Sequence, residues 1–397
     1  MQTADTTAAT GTRPGVNLAV LLCFLALLTA LFTVKHVAAE TPTFRWDFQV
    51  FYVAAQMIRH GEASKLYDFP AEAAFQNRYV DTTRVVDTPD LPFTTPAATA
   101  LLFLPLAWLP VNGAYAAWTA CNLLLLLAAL RLLQRHLSIP KGDRPLFFAL
   151  LFAPVYVCIL NGQLSILVFL LYVLGFVLMR QQRLFLAGFA IGLAALKFQL
   201  IVGFVAVLVL RRCWKSVAGA AAGTLAVAAA SALVVGWRNL IAYPDYLRNI
   251  AYHPVVGLAR YMVNVRGLLR LMTGHEPRIW IVAAISAALI IAAARAWKDL
   301  ETGFSIALIT AVLTAYHAYF PELTLLLIPF AVYVARARWN PWSISLTGFA
   351  LVASYALTFP GLHGVAGILC SALVFVGVYR TRPKSPFGSP ATTTAPV

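Results

Sequence analysis

The sequence predicts an all-α fold, a polytopic transmembrane helical bundle, and three observations carry that prediction. Of 397 residues 61% are hydrophobic and only 11% charged, with a mean hydropathy of +0.78. A soluble domain carries roughly 25% charged residues. The apolar residues come in long blocks, too many to hide in one aqueous core, and short basic stretches separate the blocks. The formal charge of +15 would suit nucleic acid if it were gathered in one patch. It is instead scattered between apolar blocks, where topology explains it and no nucleic-acid partner is implied.

Along the chain, residues 1–15 read as a disordered cytoplasmic N-terminus, and 16–38 form an apolar run of spanning length. Such a run is longer than a signal-peptide core and predicts an uncleaved first span, with Val37-Ala38-Ala39 as the alternative cleavage site. Basic groups at Arg131/Arg135/Lys141/Arg144, Arg180/Arg183, Arg211/Arg212/Lys215, Arg295/Lys298, Arg336/Arg338 and Arg380/Arg382/Lys384 are expected in the cytoplasm. That leaves outside the 39–92 loop, Asn161-Gly162-Gln163, the region of Lys197, the 237–278 loop, the 317–322 turn and Pro360-Gly361. Residues 93–111 carry Pro96, Pro105 and Pro110 and are expected to be a broken or re-entrant element buried in protein. The count is then about twelve crossings within one domain, 16–380. A disordered 381–397 tail follows, and both termini are cytoplasmic.

The 39–92 loop holds eight of the 15 acids: Glu40, Asp47, Glu62, Asp68, Glu72, Asp81, Asp87 and Asp90. Within it, 46–59 is amphipathic and ends at Gly61, which predicts a helix with Asp47 at its positive end. Trp46, Phe48, Phe51 and Tyr52 suit a helix lying at the headgroup level. Asp68 is a weaker candidate than Asp47 for a chemical role, or simply a turn cap. The 237–278 loop sets six arginines against the positive-inside trend, and guanidinium groups bind phosphate bidentately. Snorkelling accounts for most of them; Arg266, in the polar string Asn264-Val265-Arg266-Gly267, is singled out as a phosphate ligand.

Asp47 taken alone reads as an ordinary interfacial acid; its polar company on the same face raises it to a candidate general base. Gln163 offers an amide to sugar hydroxyls beside Asn161 in what could equally be a plain turn. Lys197 is a charge inside apolar sequence, either functional or snorkelling. His317 lies between apolar halves beside Tyr319 and Glu322, in contact with substrate or simply bonded to Glu322. The five cysteines read as packing residues. No metal-ligand string is present, so no metal is expected.

These strings resemble glycosyltransferase family 87. The similarity begins at Trp46-Asp47-Phe48 with Tyr52, Ala55, Gly61 and Leu66-Tyr67-Asp68. It runs on through Phe93-Thr94-Thr95-Pro96, Leu104-Pro105-Leu106, Trp118, Asn122, Asn161-Gly162-Gln163, Ala187-Gly188, Lys197 and Asn264-Val265-Arg266-Gly267. It ends in 317–329. The family often has Tyr where this chain has Thr95. The resemblance implies a GT-C-type fold in a bacterial plasma membrane with an extracytoplasmic active site. It implies an inverting transferase that moves mannose from a polyprenyl-phosphate donor to a lipid or glycan hydroxyl, with no cofactor. Asp47 matches the family's catalytic base. Arg266 and His317 match positions near the donor, and Lys197, Asn264, Gln163 and Asn161 are further donor-side candidates. Tyr52, Tyr319 and Glu322 are acceptor-side candidates. A transporter or flippase for lipid-linked sugars is the rival reading. It would set polar sites at the midplane on repeated broken helices, whereas here they collect on one face.

Overall fold

The computed structural model describes residues 46–79, 91–137, 139, 149, 150, 152–250, 259–336 and 363–380. The expected first span at 16–38, the two tails and the Pro360-Gly361 turn lie outside them. Among the described residues every regular element is a helix. In chain order they are α1 (Trp46–Arg59), α2 (Phe69–Tyr79), α3 (Ala98–Phe103), α4 (Val111–His136) and α5 (Ala153–Asn161). Then come α6 (Ser165–Arg180), α7 (Leu184–Leu193), α8 (Gln199–Leu210), α9 (Trp214–Val235) and α10 (Trp237–Ile250). The last are α11 (Val265–Thr273), α12 (Ile279–Ala296), α13 (Leu300–Thr314), α14 (Leu327–Arg336) and α15 (His363–Arg380). Short 3-10 turns follow α3 (Leu104–Trp108), α7 (Ala194–Lys197) and α13 (Phe320–Leu326).

About twelve crossings were expected, and the helices that would make them are of unequal length. Among the described residues three helices are long and apolar enough to span a bilayer: α4, α9 and α12. The other apolar helices are shorter, between 10 and 17 residues. Residues 98–108 are a six-residue helix and a five-residue 3-10 turn. At about 1.5–2 Å per residue these reach roughly 20 Å, short of the roughly 30 Å hydrocarbon core. The element is therefore broken, as its prolines suggest.

Its broken backbone is held by α1. Where the chain turns extended at Leu109, Tyr52 Oη donates to Leu109 O (2.8 Å). Gln56 Nε2 and Arg59 Nη1 both donate to Ala107 O (2.8 and 2.7 Å). Phe51 stacks on Phe103 (4.9 Å between centroids), and Phe103 lies against Trp118 (4.4 Å). Phe48, Phe51 and Tyr52 are thus buried against protein. The predicted end holds, since α1 stops at Arg59 and Gly61 takes φ +78°.

Elsewhere the bundle packs through small residues, because lipid tails give apolar helices no reason of their own to leave the bilayer. A methyl on Gly188 or Gly192 of α7 would overlap the backbone carbonyl of Ser216 or Ala220 on α9. One on Gly219 or Gly223 of α9 would meet that of Phe185 or Phe189 on α7. Two G-x-x-x-G faces thus interlock. Around Phe304 of α13, Phe176 (5.2 Å), Phe204 (4.8 Å) and Tyr172 (6.4 Å) make an aromatic centre.

One end of the bundle is tied by charge. Arg336 of α14, buried, donates to Asp299 (2.7 Å), Glu301 (3.0 Å) and Thr302 (2.7 Å) at the start of α13, and Arg180 of α6 pairs with Glu301. Arg180 and Arg336, both expected in the cytoplasm, thus share one end.

Gly219→Val is expected to lower the thermal unfolding midpoint in detergent, at a cost of about 1–3 kcal/mol or more for overpacking. Gly113→Ala, in a stretch of α4 where a methyl meets nothing closer than 3.9 Å, is the control and is expected to leave the midpoint unchanged or raised.

Candidate active site

At the other end of the bundle three chain segments converge on a buried charge. The first is the turn after α5. The helix begins with Pro154 near its first position and stops where Gly162 adopts φ +65°. Gly162 N–H donates to Ile159 O (3.1 Å) and Gln163 N–H to Cys158 O (2.9 Å), closing the last turn. From α4, Trp118 Nε1 donates to Gly162 O (2.8 Å) and Tyr115 Oη to Leu160 O (2.7 Å). Glycine is needed twice over here: for its left-handed backbone, and because a methyl would collide with Phe48, the neighbour of Asp47.

The second segment is the 3-10 turn that ends at Lys197, which is 5% exposed. Its ammonium donates to Gln163 Oε1 (2.7 Å), Ser165 Oγ (3.0 Å) and Glu322 Oε1. Three donors meet three acceptors, which satisfies a buried ammonium in full. The third segment is the 3-10 turn that begins at Phe320. Glu322, 3% exposed, also accepts from Ser165 Oγ (3.3 Å) on Oε1 and from the backbone N–H of Tyr319 (2.7 Å) on Oε2.

Asp47 completes the group from the first turn of α1. It is partly exposed, the Gln163 side chain hydrogen-bonds its carboxylate, and Lys197 and Glu322 are the charges that act on it. Burial pushes the carboxyl up to about 6; Lys197 and the Gln163 hydrogen bond pull it down, and Glu322 raises it. The residue is therefore a carboxylate at neutral pH, with a proton affinity well above that of a surface aspartate.

Beside this group stands a second one, built on the start of α11. Asn264 caps that helix: Oδ1 accepts from Gly267 N (3.0 Å) and Nδ2 donates to Ala315 O (2.7 Å). Two residues on, the Arg266 guanidinium lies over the Tyr316 ring (4.5 Å) and pairs with Glu276 (3.2 Å). His317 packs edge-on to Tyr316 (4.6 Å) and lies 6.3 Å from the Tyr319 ring. Burial, and then the Arg266 charge, push His317 down to about 4, so it is a neutral imidazole at pH 7. Tyr319 joins the two groups through its backbone bond to Glu322.

The structure thus brings Asp47, Gln163, Lys197 and Glu322 into one network and Arg266, His317 and Tyr319 next to it. Asn161 closes α5 outside the network. Three further candidates make hydrogen bonds within the protein. The Tyr52 hydroxyl holds Leu109 O, both ends of the Asn264 amide are tied to backbone, and both Glu322 oxygens are occupied within the protein. Lys197 likewise has its three donor positions engaged and bears on the site through its charge. Ser165 escaped the sequence reading, since a serine opening an apolar block carries no signal. Asp68 caps α2 through Ala71 N (3.3 Å), as its context suggests. Of the remaining arginines in 237–278, Arg238, Arg248, Arg260 and Arg278 are exposed. Among the described residues no group of three His, Cys, Asp or Glu side chains is placed to hold a metal ion.

Compared with known families, the chain matches the model for glycosyltransferase family 87 over residues 93–318. No curated protein and no solved structure matches it.

Gly162→Ala is expected to destabilise by about 1–3 kcal/mol from left-handed strain and the Phe48 collision, read as a lower unfolding midpoint in detergent.

Proposed function

The chain belongs to glycosyltransferase family 87, and from that premise we propose that it transfers mannose from a polyprenyl-phosphate donor to a lipid or glycan hydroxyl at the extracytoplasmic face of the membrane. The observation that carries this reading is one carboxylate, Asp47, raised to about 6 and hydrogen-bonded by Gln163 in the Lys197–Glu322 network, to which Tyr319 N–H ties the turn that carries His317. The acceptor oxygen attacks the anomeric carbon, its proton passes to Asp47, and the sugar–phosphate bond breaks with its electron pair on the departing phosphate. The sugar is inverted. A phosphate leaves without needing an acid, so a single carboxylate suffices, unlike the paired carboxylates of glycoside hydrolysis.

Arg266 supplies the cation for the charge that develops on the phosphate. Its guanidinium is positioned by the Tyr316 ring. His317, neutral, contributes an N–H and no charge. Tyr319 is the acceptor-side residue nearest this pair. The network end of the bundle is the one opposite Arg180 and Arg336, which supports an extracytoplasmic site by the positive-inside rule. Short helices around it suit a donor that arrives sideways from the bilayer.

Transfer assays with polyprenyl-phosphate-[14C]mannose and native membrane lipids test this. Asp47→Asn is expected to lose about 10²–10⁴-fold in kcat with donor binding intact; undiminished turnover would remove Asp47 from the reaction. A base works only when ionised, so kcat/KM should fall as pH drops through about 6. Arg266→Ala should raise the donor KM about tenfold or more, the worth of a charged hydrogen bond. An unchanged KM and kcat would refute its role.

A further inference from the structure

The Lys197 ammonium can only donate, and its three bonds go to Gln163 Oε1, Ser165 Oγ and Glu322 Oε1. The oxygen of the Gln163 amide must therefore face Lys197, which leaves its NH₂ for the other side, where the Asp47 carboxylate stands. A flipped amide would set NH₂ against an ammonium and a carbonyl against a carboxylate. Ser165 accepts from Lys197, so its own proton is directed at Glu322 (3.3 Å). The second Glu322 oxygen is fixed by Tyr319 N–H (2.7 Å). Hydrogen-bond direction is thus determined step by step from a backbone amide to Asp47.

We propose that Gln163 is a positioning residue whose amide, locked in one orientation by the Lys197–Glu322 pair, holds the Asp47 carboxylate in place and sets its basicity. The proposal rests on Asp47 serving as the base of glycosyl transfer. It gives Gln163 work on the protein's own carboxylate instead of on the hydroxyls of the donor sugar.

The groups acting on Asp47 come from every side of the network. Lys197 faces it from the turn after α7, Glu322 from the turn after α13, and Gln163 from the turn after α5. The Cys158 thiol of α5 sits by Gln163, donating to its carbonyl (3.7 Å). On α2 the acid is Glu72, which lies among Val50, Val53, Ala54 and Met57 of α1 and accepts from Phe93 N (3.1 Å). Arg59, at the far end of α1, is tied to Ala107 O.

The test is an infrared pH titration of the full-length protein in lipid nanodiscs, with the Asp47 carboxyl band isolated by subtracting Asp47→Asn. The wild-type midpoint is expected near 6. Gln163→Leu removes a donor from the charged form and should move the midpoint up by about one pH unit, tenfold in acidity. Glu322→Gln removes the like charge and leaves Lys197 unopposed, so it should move the midpoint down. In transfer assays Gln163→Leu should lower kcat about tenfold or more with the donor KM within about twofold, and the acid limb should follow the infrared midpoint.

Midpoints that stay at the wild-type value in both variants, with unfolding temperatures unchanged, would overturn the proposal. If Gln163→Leu does not fold, Glu322→Gln decides alone: a downward shift supports the coupling and no shift overturns it. If the midpoints move as stated while the wild type transfers no mannose, the donor assignment fails and the positioning of Asp47 stands. A selective rise in donor KM in Gln163→Leu, with kcat and midpoint unchanged, would return Gln163 to the sugar and sink the proposal.

Discussion

A lysine and a glutamate buried together inside an apolar bundle constrain everything around them. Removing two charges from water costs several kcal/mol for each ion, and mutual attraction repays it only when every remaining valence is bonded. Lys197 and Glu322 meet that condition with Gln163, Ser165 and the backbone of Tyr319. Those partners come from three stretches, with Lys197 32 residues from Ser165 and 125 from Glu322. The α5–α6 turn, the end of α7 and the turn after α13 must therefore meet at one point. The pair is poor evidence for stability as such. Its consequence is specificity, since any other arrangement of those segments leaves a bare charge in apolar surroundings.

The rest of the bundle serves that meeting point. Interlocked glycines hold α7 and α9 at close approach, and α7 carries Lys197 at its end. Arg336 and Arg180 clamp α13 at its start, which sets where its far end delivers Tyr316, His317 and Glu322. The broken 98–108 element supplies α1 with carbonyls for Tyr52, Gln56 and Arg59 and a ring, Phe103, for Phe51. Asp47 is thus mounted on a helix buried in protein, with its own first turn pressed against Gly162. A carboxylate that is to act as a base needs such a mounting, because proton transfer depends on a fixed geometry more than on acidity alone.

Much of the site was legible because a polar residue in an apolar block is conspicuous. Lys197, Gln163 and His317 stood out for that reason, Asp47 by its place at a helix start in the acidic loop and Arg266 by its polar string, and the structure places them in two adjoining groups. Their partners were not legible. Asn264 looked like a ligand beside Arg266, yet it is a helix cap; both roles favour asparagine, and only the bonds to Gly267 and Ala315 separate them. The amphipathic pattern of 46–59 gave the helix and its end correctly. It did not show that Phe48, Phe51 and Tyr52 meet protein, because an apolar face has the same period whether it meets lipid or protein. Prolines identified 93–111 as broken, and the structure adds what holds it.

By itself the sequence determined the class of fold, the family and the polar positions around which a site could form. These follow from composition, hydropathy and short ordered strings, all properties of neighbouring residues. Tertiary structure alone decided which polar residue faces which. It made Glu322 a counter-ion instead of a free acid, engaged every donor of Lys197, and turned the Gln163 amide toward Asp47. The physical reason is that the energy of a buried charge depends on atoms within a few ångströms, and here those atoms belong to segments 32 to 125 residues from Lys197.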